Sequence, residues 1–117
     1  MSPALAWARA FAVTLAIEEA VVLAMTKRER ETLPRRALLV AFANLATHPA
    51  VWFVFPIAFA SDGARIVASE VWAIVLEALF YALTLRMPMG RAFGVSAIAN
   101  AASFGAGVIV RALTGWI

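Results

Sequence analysis

Apolar positions run through this chain in four long blocks, separated by clusters of charge and by proline or glycine turns. The blocks cover residues 7–25, 37–60, 66–85 and 92–110. Each is close to the roughly 20 apolar residues that a helix needs to cross the hydrocarbon of a bilayer. The punctuation is Lys27-Arg28-Glu29-Arg30-Glu31-Thr32-Leu33-Pro34-Arg35-Arg36, then Ser61-Asp62-Gly63, then Arg86-Met87-Pro88-Met89-Gly90-Arg91. Period-two alternation is absent, and 117 residues barely suffice for a closed barrel of eight spans. The pattern therefore predicts an all-α integral membrane protein, one domain of four transmembrane helices over residues 1–117. Pro49 and Pro56 inside the second block predict a kink or tilt there.

Composition agrees with that solvent. Hydrophobic residues make up 64% of the chain and charged residues 15%, with a mean hydropathy of +0.88, outside the range of soluble globular domains. With no cysteine, disulfides, thiolate metal sites and thiol catalysis drop out. The first block has no basic tip ahead of it and no small-residue cleavage site, and it contains Glu18 and Glu19, so it reads as a retained helix rather than a cleaved signal.

Charge then orients the helices. Lys27, Arg28, Arg30, Arg35, Arg36, Arg86 and Arg91 fall in the first and third connections, against Arg9, Arg65 and Arg111 at the opposite side. Positive loops are retained on the cytoplasmic side, which places both termini outside and the protein in the inner (plasma) membrane. Trp7, Trp52 and Trp72 fall in the outer halves of their blocks and Trp116 in the short tail beyond the fourth, all on the outer side, where indoles rest at the interface. The net charge of +3 is explained by topology, and no nucleic-acid partner is implied.

Polar residues inside the apolar blocks are the candidate chemistry, because they are costly in a bilayer unless compensated. Glu19, Arg28 and the run Ala43-Asn44-Leu45-Ala46-Thr47 recur as Glu77, Arg86 and Ala99-Asn100-Ala101-Ala102-Ser103, with an offset of 58 at the Glu and 56 at the Asn. Both hairpins run in the same direction, so this reads as a parallel internal repeat or as a coincidence in an alanine-rich chain. Glu19 and Glu77 each precede an arginine by nine positions, Asn100 follows Arg91 by nine, and Asn44 follows Arg36 by eight. At about 1.5 Å per residue all four reach one level near mid-bilayer, where a Glu of each hairpin meets its Asn. Thr47, His48 and Ser103 lie one turn further out. Glu18 points about 100° away from Glu19, toward the bundle or toward a partner or crevice, whichever Glu19 does not face.

Two readings stand side by side. In one, each Glu–Asn pair is an interhelical hydrogen bond of about 0.6 to 2 kcal/mol that sets helix register. In the other, Glu19 and Glu77 exchange protons or cations with a pathway, with Asn44, Asn100 and His48 shaping the site. Glu70, Glu77 and Tyr81 add a polar stripe along the third block, with Glu70 near Arg65 and Tyr81 in ordinary packing as the simpler account. His48 with the glutamates offers donors for a divalent ion, without any spaced ligand pair, so the metal stays unknown and no cofactor is expected. Ala99, Ser103 and Gly107 form a small-residue ladder that favours close helix contact.

The segment Asn44-Leu45-Ala46-Thr47-His48-Pro49, followed by Glu70, Glu77 and the Ser96 to Ser103 face, resembles a group of small bacterial four-span membrane proteins to which no activity is attached. In size the chain also resembles the small multidrug transporters, dimers built around a first-helix Glu. Their third-helix sequence is not evident here and Glu77 departs from their single-carboxylate plan, so no residue role carries over. Three function classes follow: a proton- or cation-coupled transport unit, a non-catalytic subunit of a larger membrane complex, and, last, an intramembrane metal-assisted hydrolase using His48 and a Glu. The chain is expected not to be an enzyme, and to work as a homo-oligomer or within a larger complex in the lipid bilayer.

Overall fold

Each polar connection ends in a residue that starts a helix. In the computed structural model, which describes residues 1–117, Ser2 caps α1 (Pro3–Met25), accepting from Leu5 N–H at 3.2 Å. Thr32 caps α2 (Leu33–Pro49) by accepting from Arg35 N–H, and Ser61 caps α4 (Asp62–Thr84) by accepting from Ala64 N–H. Pro3 and Pro34 occupy the first turns of α1 and α2, where a missing N–H costs nothing. Pro88 precedes α5 (Met89–Thr114), which stops at Gly115, whose φ of 62° lies in the left-handed region that glycine adopts without strain. Because these caps lie in the polar links, every helix begins three or four residues ahead of its apolar block. There is no strand.

Pro49 and Pro56 shape the end of the second helix. Proline cannot donate a main-chain hydrogen bond, so the α-pattern breaks and residues Ala50–Val54 form a wider π-turn in which Phe55 N–H reaches back to Ala50 C=O. A last short turn, α3 (Phe55–Ala58), follows. Trp72 of α4 donates through its indole N–H to Thr47 C=O at 3.3 Å, tying α4 to the region around Pro49.

The helices close into a ring in which α1 packs on α2 and α5, and α4 packs on α2 and α5. Its long axis measures 41 Å, enough to cross both the hydrocarbon core of a bilayer, about 30 Å thick, and part of its headgroup layers. Polarity is arranged the opposite way from a soluble bundle. Ten of the 22 buried residues are polar or charged, while large apolar side chains such as Phe42, Val67, Val71, Leu83, Ile98, Phe104 and Ile109 are exposed. At the end bearing the basic connections, Val22, Val40, Ala43, Ala78, Tyr81, Leu85, Met87, Ala92, Val95 and Ala99 form one buried apolar cluster. Its alanines let the backbones approach closely.

Three helices, not the expected four, are long and apolar enough to cross a membrane: Leu33–Ala58, Asp62–Thr84 and Met89–Thr114. α1 is as long as α4, at 23 residues, but every 18-residue stretch of it holds Arg9, Glu18 and Glu19.

Two arginines secure the C-terminal end of α1. Arg36, 8% exposed, donates to Leu23 C=O at 3.1 Å, to Thr26 Oγ1 at 3.0 Å and to Glu31 C=O at 3.3 Å. Arg91, at the start of α5, donates to Met25 C=O at 3.0 Å and pairs with Glu29. The last carbonyls of a helix lack intrahelical donors, and cations there also meet the negative end of its dipole.

Candidate functional site

One polar side chain from each of the four long helices enters a common layer. Glu18 of α1 is 0% exposed, Glu77 of α4 1%, Asn44 of α2 2% and Asn100 of α5 6%. Asn100 donates through Nδ2 to Glu77 Oε2 at 3.1 Å and to Ser96 C=O at 2.9 Å, and Ser96 Oγ donates to Ile74 C=O at 2.8 Å, so the α4–α5 hairpin is cross-linked twice. Asn44 donates through Nδ2 to Val40 C=O at 3.0 Å in its own helix. Glu18 faces Asn44 and Glu77 at close range, where a protonated carboxyl can share its hydrogen between the two glutamates, although no donor points squarely at either Glu18 oxygen. Tyr81, one turn along α4 from Glu77 and almost fully buried, also has a hydroxyl without a partner.

Sequence spacing assigns Glu19 to this layer, whereas the fold puts Glu18 there. Glu19 is half-buried, with Oε2 enclosed and unpartnered. On the face of Glu18, residues Ala10, Thr14, Glu18, Val22 and Thr26 recur every four positions, and Ala10, Glu18, Val22 and Thr26 are buried; residue size does not mark it, since the row Ala12, Ala16, Ala20 and Ala24 is exposed. Glu19 shares its face instead with Leu15 and Leu23, both half-buried.

His48 does not join the carboxyls. Its ring is held among aromatics between α1 and α2, with centroids 5.3 Å from Phe11, 6.4 Å from Trp7 and 6.3 Å from Trp52, and its Nδ1 is enclosed without a partner. No three His, Cys, Asp or Glu side chains converge as a ligand set.

The remaining polar positions extend the layer outward. Thr47 Oγ1 donates to Ala43 C=O at 3.1 Å and Ser103 Oγ to Asn100 C=O at 3.1 Å, both buried within their own helices. Glu70 is half-buried and makes no ion pair, because Arg65 pairs with Asp62 at 3.3 Å. Ser69 is buried beside it in sequence, a position the polar stripe did not single out; its signal is a spacing of eight residues before Glu77, two turns on the same face.

Chemically, the layer holds two carboxyl groups facing each other and no cation. No lysine or arginine pairs with Glu18 or Glu77. Two ionised carboxylates in a low-dielectric interior repel strongly, so such a pair is matched by a proton or by a bound cation. Comparison with family models, with curated proteins and with solved structures finds no match.

Proposed function

We propose that this protein is a multi-pass membrane protein whose buried Glu18–Glu77 pair binds a proton or a small cation, as the coupling site of a transport unit. The observation that carries this reading is the carboxyl of Glu18, wholly enclosed and facing a second carboxyl, with no cationic side chain paired to either. Retaining such a group in the interior has a large cost that packing alone does not require. Asn100 holds Glu77 in place, Asn44 lines the other side, and Tyr81 offers a further oxygen. In this reading α1 is a fourth span. Its burial of Glu18 supports this, as does Arg9 in the second turn of α1, which donates to Trp116 C=O at 3.2 Å with its guanidinium 5.4 Å from the Trp116 ring centroid.

The distribution of arginine and tryptophan between the two ends of the bundle supports an orientation with both termini outside and a location in the inner membrane. That each hairpin supplies one Glu and one Asn supports descent from a parallel repeat, and it fits the resemblance to small four-span proteins. Four helices enclose little space, so a path for anything larger than an ion requires a second copy. Flux tests the proposal: in proteoliposomes, folded Glu18→Gln and Glu77→Gln proteins lose proton- or cation-driven flux, and unchanged flux in both refutes it.

A second reading, a non-catalytic subunit of a larger membrane complex, is favoured by one observation. Glu77 is already satisfied by Asn100, and that bond by itself fixes the α4–α5 register. Recovery from native membranes as an active homo-oligomer free of other subunits counts against it.

A further inference from the structure

Where α1 ends and α5 begins, a surface cleft of about 430 Å³ is lined by Ala24, Met25, Lys27, Arg28 and Arg91. Arg91 is held on the Met25 carbonyl and on Glu29, so that one cation is already matched and fixed in direction. Lys27 and Arg28 are exposed and their side chains make no ion pair or hydrogen bond. The cleft therefore presents two unmatched positive charges beside a third that is pre-positioned.

Its surroundings select the anion. Ala20 and Ala24 share one face of α1 at its C-terminal end and both are exposed, and Arg28 follows in the turn just beyond the helix. On α5, Arg91 is followed on one face by Gly94, with open space at its Cβ position, and by Ile98, 51% exposed. Since α1 and α5 pack together, exposed apolar groups of both helices adjoin the basic cleft.

We propose that the cleft binds the phosphate of an anionic glycerophospholipid, with Lys27, Arg28 and Arg91 on the headgroup and an acyl chain along Ala24, Ala20 and Gly94. The phosphate oxygens accept charge-assisted hydrogen bonds from the three cations, and the exposed apolar groups beside them favour a lipid over free phosphate. Basic pockets between helices at a membrane face recognise headgroups in this way.

The test is lipid titration of the full-length protein in neutral detergent, read by native mass spectrometry. Phosphatidylglycerol binds in preference to phosphatidylcholine, and a Lys27→Gln/Arg28→Gln double variant lowers that affinity about tenfold. An Arg30→Gln/Arg86→Gln variant removes the same charge from the same end of the bundle outside the cleft, and changes affinity less than about twofold. Both pairs are exposed, so folding is not at stake. Equal losses in the two variants, or equal affinity for the two lipids, overturn the proposal, and so does displacement of phosphatidylglycerol by inorganic phosphate.

Discussion

Asn100 donates from α5 to the Glu77 carboxyl of α4 at 3.1 Å, and the Glu18 carboxyl of α1 faces that same glutamate and Asn44. Glu77 is thus tied into the α4–α5 hairpin, whereas Glu18 meets it from across the ring. This asymmetry separates structural from functional consequences of mutation.

Asn100→Leu removes the donor to Glu77 and the bonds to Ser96, and is expected to destabilise the bundle by about 1 to 2 kcal/mol. Glu18→Gln removes a buried carboxyl while keeping a group that can hydrogen-bond to Asn44 and Glu77, and is expected to leave stability unchanged or raise it. Unfolding in mixed micelles with increasing denaturing detergent measures both. Greater loss from Glu18→Gln than from Asn100→Leu contradicts the assignment of roles.

Arg36→Gln strips donors from Leu23 C=O and Thr26 Oγ1 at the end of α1 and is expected to cost about 1 to 3 kcal/mol. Arg35→Gln breaks only the exposed pair with Glu31, and a cost of about 0 to 1 kcal/mol is expected. The same unfolding series compares them. Equal costs show that the buried arginine is not a cap.

The chain has no cysteine, so single cysteines report topology directly. Ser2→Cys and Thr114→Cys are expected to react with a membrane-impermeant maleimide applied to intact cells, and Glu31→Cys only after permeabilisation. Reaction of Ser2→Cys and Glu31→Cys on the same side shows that α1 does not span.

Much of this architecture is legible in the sequence, for physical reasons that differ between elements. The four long helices follow from apolar block length, and Pro49 with Pro56 announces the broken helical pattern that becomes the π-turn. Depth is also legible, since a rise of about 1.5 Å per residue converts distance from Arg86 and Arg91 into a level, and Glu77 does meet Asn100. Angle is harder. Counting from Arg28 places Glu18 and Glu19 at nearly one depth, and residue size does not tell which of them enters the ring, because the all-alanine row Ala12, Ala16, Ala20 and Ala24 is exposed. His48 shows a related gap, because its four-residue spacing from Asn44 does not reveal the aromatic rings that α1 brings around it. The capping work of Arg36 is invisible until α1 and α2 are docked, and near its own helix start a cation is otherwise disfavoured.

Infrared difference spectroscopy of the protein in lipid, between low and high pH and with and without sodium, reads the carboxyl pair most directly. The account predicts a change in the carboxylic C=O band that disappears in Glu18→Gln and Glu77→Gln and persists in Glu19→Gln. A wild-type spectrum without that change, or one that Glu18→Gln leaves intact, would contradict it.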